Sequence, residues 1–325
     1  MVPLTSVIFH ADNPSDAMEI QFSKPSMKYK SGQWLFLQVP EVSKHQWHPF
    51  TITSCPEDKY ISVHIRQVGD FTKDLAAVLG ITSDNLDDKG ADANGVYEIA
   101  MQNGMKMPQL KIDGPYGAPA EDVFDSEIAV LVGTGIGVTP WASILKSIWH
   151  RRNDPRLKKK MRLRRVEFIW VCRDTSSFEW FQHLLMSLER QTNGQSKDFL
   201  RIHTYLTQKL DLDTAQNIVL NSVGTEIDPL TNLRTGTRFG RPDFHRFFGD
   251  MRDGIADQTY ITGMDGHLRA DVGVYFCGPS AAARGIKKAC NDVSTEDIKF
   301  SFWKEQSVPP DPIIAMSNTD LCNSF

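Results

Sequence analysis

The sequence IAVLVGTGIGVTPWASILKSIW, residues 128–149, decides the fold of this chain. Its β-branched start predicts a buried strand, the glycines after it predict a turn, and its amphipathic end predicts a helix. Glycines let the backbone approach a pyrophosphate closely, and the N–H groups of a helix start attract the anion. A proline suits the first helical turn, where a missing N–H costs little. The stretch therefore predicts a phosphate-binding loop made by Gly133, Gly135, Gly137, Thr139 and Pro140.

This stretch also has two other interpretations. The spacing G-x-G-x-x-P differs from the dinucleotide fingerprint G-x-G-x-x-G, so a purely structural glycine turn is one of them. A membrane span is the other, since about twenty residues are enough to cross a bilayer. Three glycines, a proline and Lys146 interrupt the apolar run and favour a buried parallel strand with a half-buried helix. No secretory signal is visible in residues 1–10, and we expect the chain by itself to be soluble.

Length and composition indicate ordinary globular material. The 325 residues, 41% hydrophobic and 23% charged, are enough for two domains that each have a core. A net charge of −4 argues against a general nucleic-acid binder, and no nucleic-acid partner is expected. The five cysteines are scattered and odd in number, so they predict neither a disulfide framework nor a metal site. They favour a reducing compartment.

The chain changes character near residue 120. Before this point, residues 33–40 and 60–66 predict short strands joined by Gly and Pro turns, which are typical of an antiparallel β-barrel. After it, helical patterns separate four predicted strands, as βαβ units require. These strands cover 128–132, 165–172, 200–206 and 272–277.

The sequence therefore predicts two domains. An antiparallel β-barrel covers residues 1–124, and a Rossmann-like α/β domain with a parallel sheet covers residues 125–306. Residues 82–95, rich in Asp, Asn and Gly, predict an exposed loop. The Pro-rich and polar residues 307–325 predict a disordered tail.

Two segments of the first domain predict a flavin site. Residues 47–54, WHPFTITS, offer an imidazole, aromatic rings and hydroxyls, which suit the flat apolar slot that a flavin needs. A core tryptophan followed by a turn is the alternative. Arg66 precedes Gly69 and Thr72, which open a predicted helix, and this combination predicts a second pyrophosphate site. Two such sites in two domains indicate two dinucleotides.

The second domain carries residues that predict nucleotide specificity. Arg173 ends the second strand, where a cation accommodates the extra phosphate of NADP and an acidic side chain would select NAD. A salt bridge to Asp174 or Glu179 is the alternative for this arginine. Arg241, at another predicted helix start, is a second candidate for the same phosphate. Cys277 ends a strand at the rim where ligands bind, so we expect it near the nicotinamide, with simple packing as the alternative.

A basic run occupies residues 151–165, RRNDPRLKKKMRLRR. Nine of its fifteen residues are Lys or Arg, about a quarter of the 36 basic side chains in the chain. One interpretation is a solvated loop between a helix and a strand. The other is contact with anionic lipid or an acidic partner, where each basic residue contributes about 1 kcal/mol. The sequence leaves both open.

Eight motifs, taken in chain order, resemble those of one family. They are His48-Pro49-Phe50-Thr51, His64-Ile65-Arg66, Gly69-Asp70-Phe71-Thr72, Asp113-Gly114-Pro115-Tyr116-Gly117, the glycine loop 133–140, Cys172-Arg173-Asp174 with Phe178-Glu179-Trp180-Phe181, Gly240-Arg241-Pro242 and Phe276-Cys277-Gly278-Pro279. In this order they resemble the cytosolic dehydrogenase half of the NADPH oxidase (NOX) family, which belongs to the ferredoxin:NADP reductase superfamily. The resemblance runs over residues 3–306.

The resemblance implies FAD and NADPH as cofactors and a role for each motif. Residues 48–51 are implied to hold the isoalloxazine, and Arg66 and Thr72 to hold the FAD pyrophosphate. The glycine loop is implied to hold the NADPH pyrophosphate. Arg173 and Arg241 would bind the 2′-phosphate, and Cys277 would contact the nicotinamide as the catalytic residue. The implied cofactor-binding set is completed by His64, Gly69, Cys172, Gly278 and Pro279.

The resemblance also implies a function. Hydride would pass from NADPH to FAD, and in the full-length family members single electrons then reach haem and oxygen, giving superoxide. The implied partners are the transmembrane haem domain, which this chain lacks, and regulatory cytosolic subunits, at the cytosolic face of a membrane. The family's tail pattern Phe-x-Phe-x-Lys-Glu-x-Phe resembles residues 300–307, with Ser307 in place of the last aromatic. The alternatives are a ferric-chelate reductase and a non-catalytic docking module of the same fold.

Overall fold

The computed structural model describes residues 4–10, 17–23, 27–81, 96–100, 108–173, 181, 184–186, 188–189, 199–208, 227–228, 230–231, 233–261 and 270–305. The chain divides into two compact units at Ala118/Pro119, close to the boundary predicted at 124/125. The predicted loop 82–95 and tail 307–325 lie outside the described residues. Asp174 and Glu179, the alternative partners of Arg173, lie outside them too.

The first unit is built from antiparallel strands. They are β1 (Leu4–His10), β2 (Ala17–Ser23), β3 (Trp34–Gln38), β4 (His48–Thr51), β5 (Tyr60–Arg66), β6 (Val96–Ala100) and β7 (Lys111–Tyr116). One sheet has the order β5-β2-β1-β6 and the other the order β4-β3-β7, with every pairing antiparallel. An isolated bridge between Ile52 and Val63 links the two sheets. The predicted antiparallel architecture is confirmed, and it consists of two sheets that this bridge connects.

Alternation along the strands produces the core of this unit. In β2, Met18, Ile20 and Phe22 are buried, and the residues between them are half-buried. Successive side chains of a strand point to opposite faces, so this pattern turns one face of the sheet inward. Helix α1 (Asp70–Val78) buries Phe71 and Leu75 in the same core.

The second unit is a parallel sheet with helices. Its strands are β8 (Ile128–Thr134), β9 (Arg165–Cys172), β10 (Leu200–Leu206), β11 (Arg238–Phe239), β12 (Ala270–Cys277) and β13 (Ile298–Glu305). All six are parallel, in the order β11-β10-β9-β8-β12-β13. The helices whose bounds the structure describes here are α2 (Thr139–Asn153), α3 (Pro155–Lys158), α4 (Phe244–Ala256) and α5 (Ser280–Val293). The predicted α/β domain is confirmed.

The stretch 128–149 forms the centre of this sheet. Residues 128–132 of β8 are completely buried, as expected of a strand covered on both faces. Strand β8 pairs with β9 on one side and with β12 on the other. The chain thus extends the sheet in one direction with β9, β10 and β11 and then in the opposite direction with β12 and β13. Ligands of open α/β sheets bind at the carboxyl ends of the strands at such a switch point. Among the described helices, none has the length and apolarity that a bilayer span requires.

Candidate functional site

The glycine loop follows the central strand and leads into α2. Residues 135–138 form a 3-10 turn before α2 begins, with Pro140 in its first turn as predicted. Gly135 has a φ of 54°, a left-handed conformation that favours glycine, and its Cβ position faces open space. The indole Nε1 of Trp170 on β9 donates a hydrogen bond of 3.2 Å to the Gly135 carbonyl. The loop is therefore held from one side and open on the other.

The glycine loop packs against the end of β12. A Cβ on Gly137 would lie 2.5 Å from the carbonyl oxygen of Cys277 and 3.4 Å from its Sγ. A Cβ on Gly278 would overlap the hydroxyl of Thr134. That hydroxyl donates a hydrogen bond of 3.5 Å to the Cys277 carbonyl. Only glycine fits at both positions, so the carboxyl ends of β8 and β12 form one closely packed site.

The helix starts at this site lack side-chain caps. Helix α2 begins after Val138 and α5 after Pro279, and neither side chain makes a capping hydrogen bond. By contrast, Asp154 and Asp243 cap α3 and α4 by accepting backbone N–H bonds. First-turn N–H groups need a partner, which an anionic oxygen supplies well. The two uncapped starts at the switch point therefore fit the phosphates of a dinucleotide.

Cys277, the predicted catalytic residue, is a buried thiol with only 3% of its surface exposed. Burial is the main cause that raises the pKa of this thiol to about 12, and the nearby Glu305 carboxyl adds to it. The thiol is therefore protonated at neutral pH and is unsuited to act as a nucleophile. Its place at the switch point instead suits contact with a bound ring.

Glu305 is a residue of this site that sequence reasoning missed. It ends β13 and pairs in register with Cys277 on β12. Its Oε2 accepts a hydrogen bond of 2.9 Å from the Ala120 N–H. Burial raises the pKa of the carboxyl to about 7, although that hydrogen bond lowers it. The Lys-Glu pair of the tail pattern was the one signal for it, and only the strand register places it beside the cysteine.

Arg173 and Arg241 lie at the same edge of the sheet. Cys172 of β9 pairs in register with Leu206 of β10, which pairs with Phe239 of β11. Arg173 follows this row directly, Arg241 follows it after one residue, and both are exposed. Neighbouring strands lie about 4.8 Å apart, so the two arginines start about 10 Å apart across β10. This spacing allows both guanidinium groups to reach one phosphate.

Two of the predicted contact residues are buried in the packing behind this edge. Cys172 is 1% exposed, and its carbonyl accepts hydrogen bonds from the N–H and the hydroxyl of Thr207, at 2.9 and 3.1 Å. Gly133 is buried too, and a Cβ there would lie 3.1 Å from the ring of Trp141. Both residues therefore shape the ends of their strands, and a direct contact with a cofactor stays a prediction.

The predicted flavin segment His48–Thr51 is strand β4, which pairs with β3. The buried imidazole of His48 stacks on Phe71 of α1, with 3.7 Å between the ring centroids and 19° between the planes. The other three residues of the strand are half-buried. The imidazole is therefore part of the packing between strand and helix, and the residues after it form a partly open surface.

An aromatic surface next to this strand was not predicted. Trp34 of β3 stacks on Tyr116 of β7, with 4.7 Å between the ring centroids and 27° between the planes. Phe36 meets both rings edge-on, and all three side chains are half-buried. The Tyr116 hydroxyl donates a hydrogen bond of 2.5 Å to Asp113 Oδ2. Offset aromatic rings of this kind suit a planar ligand.

The predicted flavin phosphate site lies where β5 ends and α1 begins. Arg66 is the exposed last residue of β5, and Gly69 is the N-cap of α1. The Thr72 hydroxyl accepts hydrogen bonds from the N–H groups of Val68 and Gly69, at 3.1 and 3.0 Å, and donates one of 2.9 Å to the Gly69 carbonyl. This hydroxyl is therefore used within the turn, and Arg66 is the exposed donor.

His64, another predicted cofactor residue, lies half-buried in β5. Its Nδ1 is hydrogen-bonded to Thr53 Oγ1 at 2.8 Å, and its Nε2 lies 3.9 Å from Glu19 Oε2. These contacts connect the ring to β2 and to the segment that follows β4. A contact between His64 and a cofactor stays a prediction.

A parallel sheet with an open glycine loop at its switch point, preceded in sequence by antiparallel sheets, defines a two-domain dinucleotide-binding protein. Comparison with protein families names both parts. The ferric reductase NAD binding domain family matches residues 126–291, and the FAD-binding domain family matches residues 3–120. The chain therefore belongs to the ferric reductase NAD-binding domain family, with an FAD-binding domain before it.

Curated relatives of the chain include NADPH oxidases. The chain is 37% identical over 308 residues to NADPH oxidase 1 of Mus musculus, a match that covers 94% of this chain and 45% of that protein. It is 37% identical over 303 residues to a superoxide-generating NADPH oxidase heavy chain of Dictyostelium discoideum, covering 90% of this chain and 52% of that protein. The chain thus spans about half the length of these relatives. The resemblance inferred from the motifs is confirmed.

A solved structure agrees with the fold. The ferredoxin-NADP+ reductase from Plasmodium falciparum matches with a TM-score of 0.50 and 10% sequence identity, over 92% of this chain and 96% of that chain. At this identity the match speaks for the fold alone. The predicted class, antiparallel sheets followed by a parallel α/β domain, is confirmed.

Proposed function

We propose that this chain is the dehydrogenase part of an NADPH oxidase, in which hydride passes from NADPH to FAD. The observation that carries the proposal is the switch-point site. There, an open glycine loop, two helix starts without side-chain caps and two exposed arginines at the same edge of the sheet meet the needs of a phosphorylated dinucleotide. The identity of 37% to proteins named for NADPH supports the choice of nucleotide.

Residues of the second domain would bind and orient the nucleotide. The backbone of residues 133–140 would hold the pyrophosphate, and Arg173 and Arg241 would hold the 2′-phosphate by charge-assisted hydrogen bonds. Cys277, buried and protonated, would position the nicotinamide ring without exchanging a proton. Orientation is the main contribution, because reactants held in near-attack geometry react far faster than free ones.

Residues of the first domain would hold the flavin. Strand β4 and the aromatic surface of Trp34 and Tyr116 would support the ring, and Arg66 with the start of α1 would bind the pyrophosphate. Bound FAD would accept two electrons as hydride and release them one at a time. Thr72 would act by shaping the turn, since its hydroxyl is already used there.

The first test is the activity of the purified chain. With FAD added, it should become yellow, oxidise NADPH slowly and reduce an artificial electron acceptor. The same protein without FAD is the control. Absence of NADPH oxidation at saturating FAD would contradict the proposal, and so would stoichiometric haem in the purified chain.

The second test removes the cations assigned to the 2′-phosphate. Arg173→Ala should raise KM for NADPH about tenfold to a hundredfold, because a hydrogen bond to a charged group is worth about 1.5–3 kcal/mol. KM for NADH and kcat should change little, since the ribose lies far from the transferred hydride. Adding Arg241→Ala should remove most of the remaining preference.

Arg246→Ala is the matched control for both arginines. Its side chain is 81% exposed on α4 and lies 3.9 Å from Asp250 of the same helix. This variant should keep the parent ratio of kcat/KM for NADPH over NADH. If the Arg173 and Arg241 variants keep that ratio as well, neither arginine reads the 2′-phosphate.

In a longer protein, the electrons would continue from flavin to haem and then to oxygen, giving superoxide. A transmembrane haem domain and regulatory cytosolic subunits would be its partners, and the chain would lie at the cytosolic face of a membrane. The name of the Dictyostelium relative, a superoxide-generating heavy chain, supports this step. The full-length protein in membranes should reduce cytochrome c with NADPH, and superoxide dismutase should abolish that reduction.

A ferric-chelate reductase is the second candidate, favoured by the description of the matching family. It shares the flavin and nucleotide sites and differs in the final electron acceptor. Ferric citrate reduction by the full-length protein would decide between them. Reduction that continues without oxygen and ignores superoxide dismutase would favour the ferric-chelate reductase.

A further inference from the structure

The basic run of residues 151–165 divides into inward and outward parts. Arg151 and Arg152 each lie over an aromatic ring, 3.9 and 3.8 Å from its centroid. Arg165 is 2% exposed and makes a hydrogen bond of 2.8 Å to Glu167, which is also buried. Arg151 and Arg152, which are half-buried, and the buried Arg165 are therefore engaged in contacts with the second domain itself.

Residues 156–160, RLKKK, are a continuous outward part of the run, and Arg162 and Arg164 beyond them are exposed as well. All five are exposed, with 91% of the Arg156 side chain and 38% of Leu157 open to solvent. Arg156 lies 3.5 Å from Asp154, whose carboxylate also caps α3. The three lysines make no ion pair with any other described residue. This segment thus presents four basic side chains and one leucine to solvent at five consecutive positions.

We propose that residues 156–160 dock on an anionic lipid bilayer. The four cations would be attracted by acidic headgroups, and Leu157 would enter the apolar boundary beneath them. Consecutive side chains point in different directions, so a folded acidic protein would pair with only some of them. The field of a charged membrane acts over a Debye length, about 8 Å at physiological salt, and reaches all four.

The exposed Leu157 distinguishes a lipid bilayer from other polyanionic partners. A nucleic acid or an acidic peptide offers negative charge, but only a bilayer offers charge with an apolar layer below it. This docking surface is separate from the flavin and nucleotide residues. Its failure therefore leaves the proposed function untouched, and loss of the proposed function leaves the docking surface untouched.

The test compares vesicles of phosphatidylcholine alone with vesicles that also contain phosphatidylserine, using sedimentation of the purified chain. The chain should bind the phosphatidylserine vesicles only, and added salt should weaken the binding. Replacing Lys158, Lys159 and Lys160 by alanine should lower the affinity about a hundredfold, at about fivefold for each charge removed. Binding that is equal on both kinds of vesicle, or absent from both, overturns the proposal.

Two further variants separate local docking from net charge. Arg284, Lys287 and Lys288 are exposed on α5, and their replacement by alanine changes the net charge equally. This variant should bind like the parent, whereas an equal loss would show a net-charge effect. Leu157→Ser keeps the charge and should weaken binding several-fold. Unchanged binding by Leu157→Ser, or adsorption to polyglutamate without binding to vesicles, would overturn lipid docking in favour of a purely electrostatic partner.

Discussion

At the residue scale, the switch-point site has no room for a side chain at Gly137. A methyl group there would lie 2.5 Å from the Cys277 carbonyl oxygen, so the loop or the strand end must move. Gly137→Ala should lower the free energy of unfolding by about 1–3 kcal/mol, as overpacked positions do. It should also weaken NADP+ binding, because the displaced loop is the proposed phosphate site. Chemical unfolding and nucleotide titration measure the two effects.

Gly285→Ala is the control for this substitution. Gly285 lies in α5, and its Cβ position faces open space. Alanine in a helix is favoured over glycine by about 0.5–1 kcal/mol, so this variant should be slightly more stable than the parent and bind NADP+ equally well. Equal losses in both variants would mean that the packing against Cys277 has no special role.

Glu305 should make the stability of the protein depend on pH. The folded-state pKa of its carboxyl is raised from 4.5 to about 7, chiefly by burial. Between these two values the unfolded chain releases a proton that the folded chain keeps, so stability falls as the pH rises through this window. Glu305→Gln should remove this fall, and its amide oxygen can still accept the Ala120 N–H bond. Unfolding curves of the parent and the variant at several pH values test this prediction. If the stability of the two proteins changes with pH in parallel, the prediction is contradicted.

At the scale of secondary-structure elements, a buried polar network joins two strands of the sheet to the segment after α4. Glu167 of β9 contacts Arg165 Nε at 2.8 Å, His203 Nε2 of β10 at 2.6 Å and the Tyr260 hydroxyl at 2.5 Å. Burial raises the pKa of Glu167, but its bonds to His203, Tyr260 and Arg165 outweigh burial and lower it below its ordinary value. The Glu167 carboxylate is therefore charged at neutral pH, and three hydrogen-bond partners hold it.

Glu167→Gln should lower the free energy of unfolding by about 3–5 kcal/mol, because it leaves the buried Arg165 without its anion. In the parent, the contribution of this carboxylate is complete above about pH 4.5 and is lost as the pH falls through the folded pKa. The variant should therefore lose less stability on acidification. Chemical unfolding at neutral and acidic pH measures both effects.

The double variant Arg165→Met with Glu167→Leu is the control for the buried pair. Replacing a whole buried ion pair by apolar residues is often neutral, so the double variant should be more stable than Glu167→Gln. If the two variants are equally unstable, the loss comes from the bonds of His203 and Tyr260 rather than from an unpaired arginine.

At the scale of the whole molecule, the two domains should bind their dinucleotides with separate sets of residues. Arg66 belongs to the first unit, and the switch-point site belongs to the second. Arg66→Ala should therefore weaken FAD binding about tenfold to a hundredfold and leave NADP+ affinity nearly unchanged. Titration with each ligand measures the two affinities. An unchanged FAD affinity would show that Arg66 has no part in the flavin site.

Most elements of the fold could be predicted because their signals are local. The alternation of residues 60–66, the apolar run 128–132 and the glycines after it need no distant partner to be recognised, and each forms the element expected. The order of the six parallel strands is a different matter. It depends on which strands pair across long connections, and no local pattern of the sequence states that.

The sequence by itself determined the two domain types, the glycine loop and the candidate residues, because short-range patterns encode strands, turns and helix starts. Only the tertiary structure decided which of those residues meet. It placed Glu305 beside Cys277, brought the strand ends before Arg173 and Arg241 to the same edge on either side of β10 and enclosed Glu167 in a buried network. The physical reason is the register of parallel strands, which brings residues far apart in sequence to the same level of the sheet.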